Sequence, residues 1–319
     1  MTEAAKRFSK RGWGVFNHYL YAEICSPKTT KNLDMNITDW NEAVNKFDVE
    51  RLAYKLHKMG VGYYFITLMQ GTKHMLAPNA TYDRIAGTKP GEACATRDLP
   101  MELADALAKY DIDLCLYYTG DGPHKDEVIG NRFGFIGSGR YEDGLTVDKP
   151  FVENWAGVLE EYAVRYGDKV KAWWIDGCYK DNFGYTDELL DIYYNAIKKG
   201  NPNGLVAFND GVKPYFQKGY YNEDFVCGEF NDFLHVPANN QWEGALVHTL
   251  APLGYDKESC SEWGGWGSNG LKHTKEYMRD FIRASRKVEC PVTVDIWVNI
   301  DGSFDPEQEA ALMWVGENL

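Results

Sequence analysis

The sequence predicts an α/β fold, a (β/α)8 barrel of the TIM type. Strand-like and helix-like stretches alternate along most of the 319 residues. The strand-like stretches are continuously apolar, as parallel strands covered on both faces are. No GxGxxG turn follows the first strand, which disfavours a doubly wound sheet, the second interpretation of this alternation. Closure into a barrel is therefore the favoured architecture.

The first two thirds of the chain alternate regularly. Apolar runs of strand length occupy 12–20, 61–68, 112–119, 170–176 and 205–210. Apolar residues at helical spacing occupy 47–60, 97–110, 151–167 and 186–200. Asp48 is a predicted N-cap and Gly60 a predicted helix end.

The pattern loosens after residue 210. Strands are predicted over 225–230, 250–255 and 291–299, of which the first two are weaker candidates. Helices are predicted over 271–289 and 305–319. In the last helix Asp305 is the predicted N-cap and Pro306 occupies the first helical position. Because there is no linker or repeat, we expect a single domain over residues 1–319 in an irregular barrel.

Composition and charge restrict the kinds of partner. The formal net charge of −13 would repel nucleic acid and other phosphate-rich partners. Aromatic residues make up 14% of the chain, and such residues often line ligand clefts. A neutral substrate fits this charge better than a charged polymer does. Homo-oligomerisation is left open.

Cysteine, histidine and hydropathy patterns indicate neither a cofactor nor a membrane segment. Seven cysteines without a CxxC pair, and seven histidines without HxxxH spacing, suggest neither a disulfide framework nor a metal site. We expect no metal and no organic cofactor. No apolar run is long enough to span a membrane. The start MTEAAKRFSKRGW lacks an apolar signal core, so we expect a cytoplasmic protein, or a secreted one if a signal peptide was removed.

The stretch AWWIDG at 172–177 ends an apolar strand in a carboxylate. Active sites of such barrels lie at the C-terminal ends of the strands. Because side chains alternate along a strand, Asp176 at the barrel mouth would have Trp174 beneath it, whereas Trp173 and Ile175 would face the helices. Gly177 would allow a sharp turn beside the site. The alternative is an ordinary Asp-Gly turn.

A second carboxyl group would complete the chemistry of glycoside hydrolysis, which needs a nucleophile or base and an acid. The acid must stay protonated near neutral pH, which requires an apolar or like-charged setting. Glu229, between apolar residues, is the first candidate and Glu243, after Trp242, the second. Glu223 is a weaker third, because its NED context is typical of a solvated loop. For each, a surface or helix-capping carboxylate is the alternative.

Other polar and aromatic residues near strand ends are candidates for binding a sugar. His18 ends the first strand, where either a hydroxyl-binding residue or a satisfied core histidine fits. His74 and His124 follow the second and third strands, and a surface position is favoured for both. Apolar surface for sugar stacking is predicted at Tyr117, Trp174, Trp242 and Trp297.

Taken together, these motifs resemble the α-L-fucosidases of glycoside hydrolase family 29. GWGVFNHYL resembles that family's FGIFIHWG first strand, AWWIDG its LWFDG, and FNDG its NDRWG. RDLPMELADALAKYDIDLCLYYT resembles RDLVxELxxAxRxxGLxxGxYYS, and the closing VDIWVNIDGSFDPEQEAALMWVGENL resembles LLNVGPxxDGxIPxxxxxxLxxIGxWL. The matches run in order from about residue 12 to 319.

The resemblance implies roles for three residues. Asp176 matches the position of the nucleophile, and His18 matches the first-strand histidine that binds sugar hydroxyls. Glu229 falls in the region of the acid/base, which lies in variable loops of the family. The implied activity is retaining hydrolysis of an α-L-fucoside or a related sugar, without a cofactor.

Two departures from the family pattern leave the sugar open. Thr67 is kept, but the family's KHHDGF is replaced by LMQGTKHM. Either Gln70 or His74 substitutes for the family's histidine pair, or the enzyme takes a different sugar. The sequence ends after the last barrel helix, so we expect no C-terminal β-sandwich. The rival interpretations are a glycosidase for another sugar, such as an L-galactoside, and a catalytically silent sugar-binding barrel.

Overall fold

Seven parallel strands form one curled sheet in a computed structural model of the chain, which describes residues 1–26, 29–135, 147–255 and 265–319. The strands are β1 (Trp13–Asn17), β2 (Tyr63–Thr67), β3 (Asp113–Thr119), β4 (Val170–Asp176), β5 (Leu205–Phe208), β8 (Thr249–Pro252) and β9 (Val292–Asp295). Their order across the sheet is β5-β4-β3-β2-β1-β9-β8. The short strands β6 (Gln241–Trp242) and β7 (Ala245–Leu246) form a separate antiparallel hairpin.

Helices connect and cover these strands. They are α1 (Glu3–Ser9), α2 (Tyr21–Ile24), α3 (Trp40–Lys46), α4 (Val49–Met59), α5 (Ala80–Ala86), α6 (Leu99–Ala108), α7 (Glu127–Phe133), α8 (Lys149–Tyr166), α9 (Lys180–Phe183), α10 (Asp187–Gly200), α11 (Lys275–Lys287) and α12 (Pro306–Glu317). All six predicted helices are confirmed. The helices that the sequence pattern missed have four to seven residues, too few for an apolar period to emerge. No helix of the described residues combines the length and the hydropathy that crossing a membrane requires.

Helix ends follow the predicted capping residues. The side chain of Asp48 accepts a hydrogen bond from Arg51 N at the start of α4. Gly60 ends the same helix with a φ of 73°, a left-handed conformation that glycine adopts without strain. Asp305 caps α12 in the same way, by accepting a hydrogen bond from Gln308 N.

Strand alternation separates an inner from an outer core. Trp174 packs in the inner cluster with Phe16 and Tyr117. Trp173 and Ile175 belong to the larger cluster that includes the apolar faces of the helices. The predicted division of β4 into a face towards the helices and a face towards the interior is therefore confirmed.

Residues 224–230 run between the two edge strands without forming a regular strand. Asp224 N donates to Val206 O beside β5 (2.9 Å), while Phe230 N donates to Leu250 O of β8 (2.9 Å). Gly228 interrupts the pairing, because its φ is 59° and an added Cβ would lie 1.7 Å from His248 O. The predicted strand over 225–230 is therefore reduced to bridges at Phe225 and Glu229.

The strand count differs accordingly from the prediction. Seven parallel strands, with 224–230 beside both edges, make a mixed α/β fold compatible with a TIM-type barrel. The eight regular strands that the sequence predicts are not found among the described residues.

Candidate active site

A pocket of about 720 Å³ opens at the carboxyl ends of the strands, within the usual size range of small-molecule sites. Its floor includes apolar and aromatic side chains of β1, β4 and β8, namely Phe16, Trp174 and Leu250. Its polar lining comes from strand ends and the segments that follow them: His18, Glu23, Gln70, Tyr117, Asp176, Tyr179, Asn182, Asp210, Lys213, Glu229 and Asn231. Loop residues far apart in sequence therefore meet where the strands converge.

Asp176 ends β4 and receives several hydrogen bonds. Tyr117 Oη donates to its Oδ2, and Asn209 Nδ2 donates to its Oδ1 at 2.7 Å. Tyr179 Oη lies 3.4 Å from the same Oδ1. Burial raises the pKa of Asp176, and the bonds from Tyr117 and Asn209, which favour the ionised form, oppose that rise.

Glu229 lies on the other side of Asn209. The two hydrogens of the Asn209 amide serve both carboxylates, since Nδ2 also donates to Glu229 Oε2 at 2.5 Å. Burial, and then the charge of Asp176, raise the pKa of Glu229 to about 8. At neutral pH the pair therefore holds a proton on Glu229.

One shared amide also limits the distance between the two carboxyl groups. The bonds of 2.7 Å and 2.5 Å from Asn209 Nδ2 place the two acceptor oxygens at most about 5.2 Å apart. Carboxyl pairs of retaining glycosidases are about 5–5.5 Å apart, whereas inverting pairs are about 6.5–9.5 Å apart.

His18 is held by a carboxylate behind it. Its Nδ1 donates to Asp295 Oδ1 (2.8 Å), and Asp295 also accepts from Gly267 N at 2.6 Å. Burial alone lowers the pKa of His18, but the charge of Asp295 and its hydrogen bond outweigh burial, so the net direction is upward. Nε2 remains as the polar ring atom available to the pocket, and Trp266 packs edge-on at 6.0 Å.

Gln70, Tyr117 and Trp174 form a connected wall. Gln70 Nε2 donates to Tyr117 Oη (2.9 Å), whose hydrogen goes to Asp176. The Tyr117 ring stacks on Trp174 with centroids 5.4 Å apart. Of the residues predicted to bind the sugar, these three and His18 lie together in the pocket.

Four other predicted site residues lie elsewhere. Trp242 and Glu243 belong to the exposed end of the β6–β7 hairpin, where Trp242 is 46% exposed. Trp297 lines a separate cavity of about 600 Å³, with Lys31 Nζ 4.7 Å from its ring centroid. His74 stacks on Tyr21 at 3.6 Å and does not line the pocket.

Two expectations about surface position are wrong. Glu223 is 4% exposed rather than solvated, because its carboxylate accepts from Phe208 N (3.2 Å) and Gly219 N (3.1 Å). Burial raises its pKa well above the ordinary value. His124 is also buried, with its Nδ1 3.1 Å from Asp121 Oδ2. Loops that pack over strand ends bury residues whose local sequence is typical of a surface.

The sequence does not single out several residues of the site. Asn209 falls near the end of the predicted strand over 205–210, and its bridging role depends on Glu229, twenty positions away. Tyr179 and Trp266 lie in loops and Glu23 lies in the four-residue helix α2, none of which has a local pattern that would single these residues out. Among the described residues, no group of three or more His, Cys, Asp or Glu side chains is placed to hold a metal ion.

Solved structures with this fold include several fucose-processing enzymes. A glycoside hydrolase family 29 α-L-fucosidase from Bacteroides thetaiotaomicron aligns with a TM-score of 0.64 and 17% identity, over 99% of this chain and 73% of its own. An α-L-fucosidase from Lactobacillus casei in complex with α-L-fucose aligns with a TM-score of 0.66 and 15% identity, over 99% and 98% of the two chains.

An endo-fucoidan hydrolase of glycoside hydrolase family 107 is also similar, with a TM-score of 0.71 and 14% identity over 100% of this chain and 65% of its own. No protein-family model matches the sequence, and no curated protein matches it. The chain therefore has the fold of the family 29 α-L-fucosidases, which confirms at the level of fold the resemblance noted from its motifs.

Proposed function

We propose that this protein is a retaining glycoside hydrolase for α-L-fucosides, with Asp176 as nucleophile and Glu229 as acid/base. The observation that carries the proposal is the Asn209 amide, which bonds both carboxylates and holds their nearest oxygens within about 5.2 Å. The raised pKa of Glu229, about 8, supports the role of an acid that is protonated at neutral pH.

The proposed reaction has two steps. Asp176 attacks the anomeric carbon while the bond to the leaving oxygen breaks, and Glu229 gives its proton to that oxygen. Ionised Glu229 then takes a proton from water, the water oxygen attacks the same carbon, and Asp176 is released. Tyr117 and Asn209 orient the nucleophile throughout, because each donates a hydrogen bond to it.

The sugar contacts proposed for this pocket come from four residues. His18 and Gln70 supply polar groups for hydroxyls, and Trp174 and Tyr117 supply ring surface. Glu243 is not retained as the acid, since it lies at the exposed end of the hairpin. His74, Trp242 and Trp297 are not retained as sugar contacts, because none of them lines the pocket.

The architecture proposed for the catalytic fold is a closed (β/α)8-type barrel in which residues 224–230 take the place of an irregular strand. Hydrogen bonds to Val206 on one side and Leu250 on the other support this closure. It would place Glu229 two strands away from Asp176, with Asn209, which follows the intervening strand β5, between the two carboxylates.

The fold neighbours support the choice of sugar. They include α-L-fucosidases and fucoidan hydrolases, and one family 29 enzyme was captured as a covalent intermediate with 2-fluoro-fucosyl fluoride, using a Glu-to-Gln mutant. The covalent intermediate trapped with that mutant agrees with a nucleophilic role for Asp176 and with a glutamate, here Glu229, as its partner.

The proposal is tested by replacing the nucleophile. Asp176→Gly should lower kcat on 4-nitrophenyl α-L-fucoside by at least about 10³-fold, because no covalent intermediate forms. Azide should enter the vacated space and restore turnover, giving the β-fucosyl azide, whereas the wild type with azide should give no such product. An Asp176→Gly rate equal to that of the wild type would refute the assignment.

A different sugar remains a second candidate, favoured by one observation. Gln70 lines the pocket where the resemblance leads one to expect a histidine pair, and Glu23 adds a further carboxylate. Extra polar groups would suit the additional hydroxyl of an L-galactoside. Parallel assays on 4-nitrophenyl α-L-fucoside and α-L-galactoside separate the two candidates, and turnover of neither by the wild type would favour a silent sugar-binding barrel.

A further inference from the structure

The loop that follows β5 forms the wall of the pocket beside Glu229. Its residues Asp210 and Lys213 line the main pocket, and Lys213 Nζ lies 3.5 Å from Asp210 Oδ2. A second, small cavity adjoins the main pocket beneath this loop. It is lined by Lys213, Tyr215, Gln217 and Glu229, but not by Asp176.

The small cavity is lined by Glu229, the proposed acid, but not by Asp176, the proposed nucleophile. It therefore marks the side of the pocket on which the leaving group would lie. In a retaining mechanism the leaving group departs from the face opposite the nucleophile and receives its proton from the acid. Side chains around Glu229 and away from Asp176 are therefore the ones that a leaving group meets. The loop residues Tyr215 and Gln217 satisfy this condition, because they line the small cavity but not the main pocket that Asp176 lines.

The shape of this region limits how a ligand could bind. The small cavity measures about 20 Å³, room for about one water molecule, so a sugar ring cannot enter it. Tyr215 lines this cavity yet is 59% exposed. A leaving-group sugar whose oxygen accepts the proton from Glu229 would therefore lie over the mouth of the small cavity, with its ring against the face of Tyr215.

We propose that Tyr215 and Gln217 form the binding site for a carbohydrate leaving group, with the Tyr215 ring stacked on the apolar face of the sugar. This inference rests on the proposed function and adds to it the residues that would bind the sugar of the leaving group. An exposed aromatic ring gives sugar-stacking surface, and the Gln217 amide offers both a donor and an acceptor to sugar hydroxyls.

The test compares two substrates that differ only in the leaving group. α-L-Fucosyl fluoride has a leaving group of one atom, whereas 2′-fucosyllactose has a disaccharide. Tyr215→Ala should lower kcat/KM on 2′-fucosyllactose by about three- to tenfold, because the stacking contact is lost, and leave the fluoride unchanged. Tyr215→Phe keeps the ring and should retain the wild-type ratio of the two values.

Tyr221→Ala is the matched control, since Tyr221 is 60% exposed and lines neither cavity. Equal losses on both substrates in Tyr215→Ala, no loss on either, or the same loss in Tyr221→Ala would overturn the inference. Failure of the proposed function gives a different result, in which the wild type turns over neither substrate.

Discussion

The hydrogen-bond donors around Asp176 and Glu229 differ in number, and this difference bears on which carboxyl group holds a proton. The single amide nitrogen of Asn209 donates to Asp176 at 2.7 Å and to Glu229 at 2.5 Å, and Tyr117 also donates to Asp176. The additional donor favours the charged form of Asp176, so the proton stays on Glu229. Different partners would thus give two chemically similar side chains the opposite roles proposed for them.

The pH dependence of activity should report this proton. Because the pKa of Glu229 is raised to about 8, kcat/KM for a fucoside with a poor leaving group should fall as pH rises through about 8. Glu229→Gln should abolish that basic limb and reduce kcat about 10²–10⁴-fold on the same substrate. Fluoride needs no proton to leave, so the first step on fucosyl fluoride should be much less affected.

Glu243→Gln provides the matched control for this experiment. Glu243 lies at the exposed end of the hairpin, so its variant should keep both the rate and the pH profile of the wild type. A basic limb that persists in Glu229→Gln and disappears in Glu243→Gln would reverse the proposed assignment.

The position of Glu229 depends on the backbone conformation of segment 224–230. Gly228 approaches the backbone of His248 so closely that no side chain fits, and the next residue is the proposed acid. Gly228 weakens the strand pattern in the sequence, and the same glycine allows the segment to pack closely against the start of β8.

Gly228→Ala should therefore destabilise the fold by about 2–4 kcal/mol, through both a clash and a positive φ. Gly244→Ala is its control, because Gly244 also has a positive φ (87°) but has nothing within 4 Å of an added Cβ. The control should lose only about 1 kcal/mol. Urea unfolding measures both values, and equal losses would show that the contact with His248 contributes nothing.

Three buried polar side chains are linked by hydrogen bonds in the interior of the protein. His248 is fully buried, with Nδ1 2.8 Å from Cys227 O and Nε2 2.7 Å from Thr293 Oγ1. Tyr63 Oη lies 2.9 Å from the same threonine oxygen. Burial lowers the pKa of His248 to about 4, so the imidazole is neutral in the folded protein near pH 7.

This histidine links stability to pH. Between about pH 4 and 6.5 the unfolded chain binds a proton that folded His248 does not, so stability rises with pH across this window and is lost as pH falls. The full effect is about 3 kcal/mol. Glu229 acts in the opposite direction, because its raised pKa favours the folded state at low pH and loses that contribution as pH rises.

The two effects are separated in the Glu229→Gln background. There the free energy of unfolding, measured in urea from pH 4 to 7, should rise more steeply than in the wild type. Adding His248→Gln should flatten that rise. An unchanged slope in the double variant would contradict the role given to His248.

Local patterns in the sequence predict the six longer helices, the caps of α4 and α12 and the faces of β4. Asp48 and Gly60 cap α4 because capping involves neighbouring residues only. Alternation along a strand likewise assigns Trp174 inward and Trp173 outward without any knowledge of the partner strands. The position of Asp176 at the end of β4 follows from the same alternation.

Tertiary packing decided which residues meet around Asp176. The sequence ranks Glu229 before Glu243 without excluding either, and in the structure Glu229, not Glu243, shares a hydrogen-bond donor with Asp176. Gln70 lines the pocket and His74 does not, although both follow β2. These choices depend on how loops from distant parts of the chain pack over the strand ends, and no local period or cap encodes that packing.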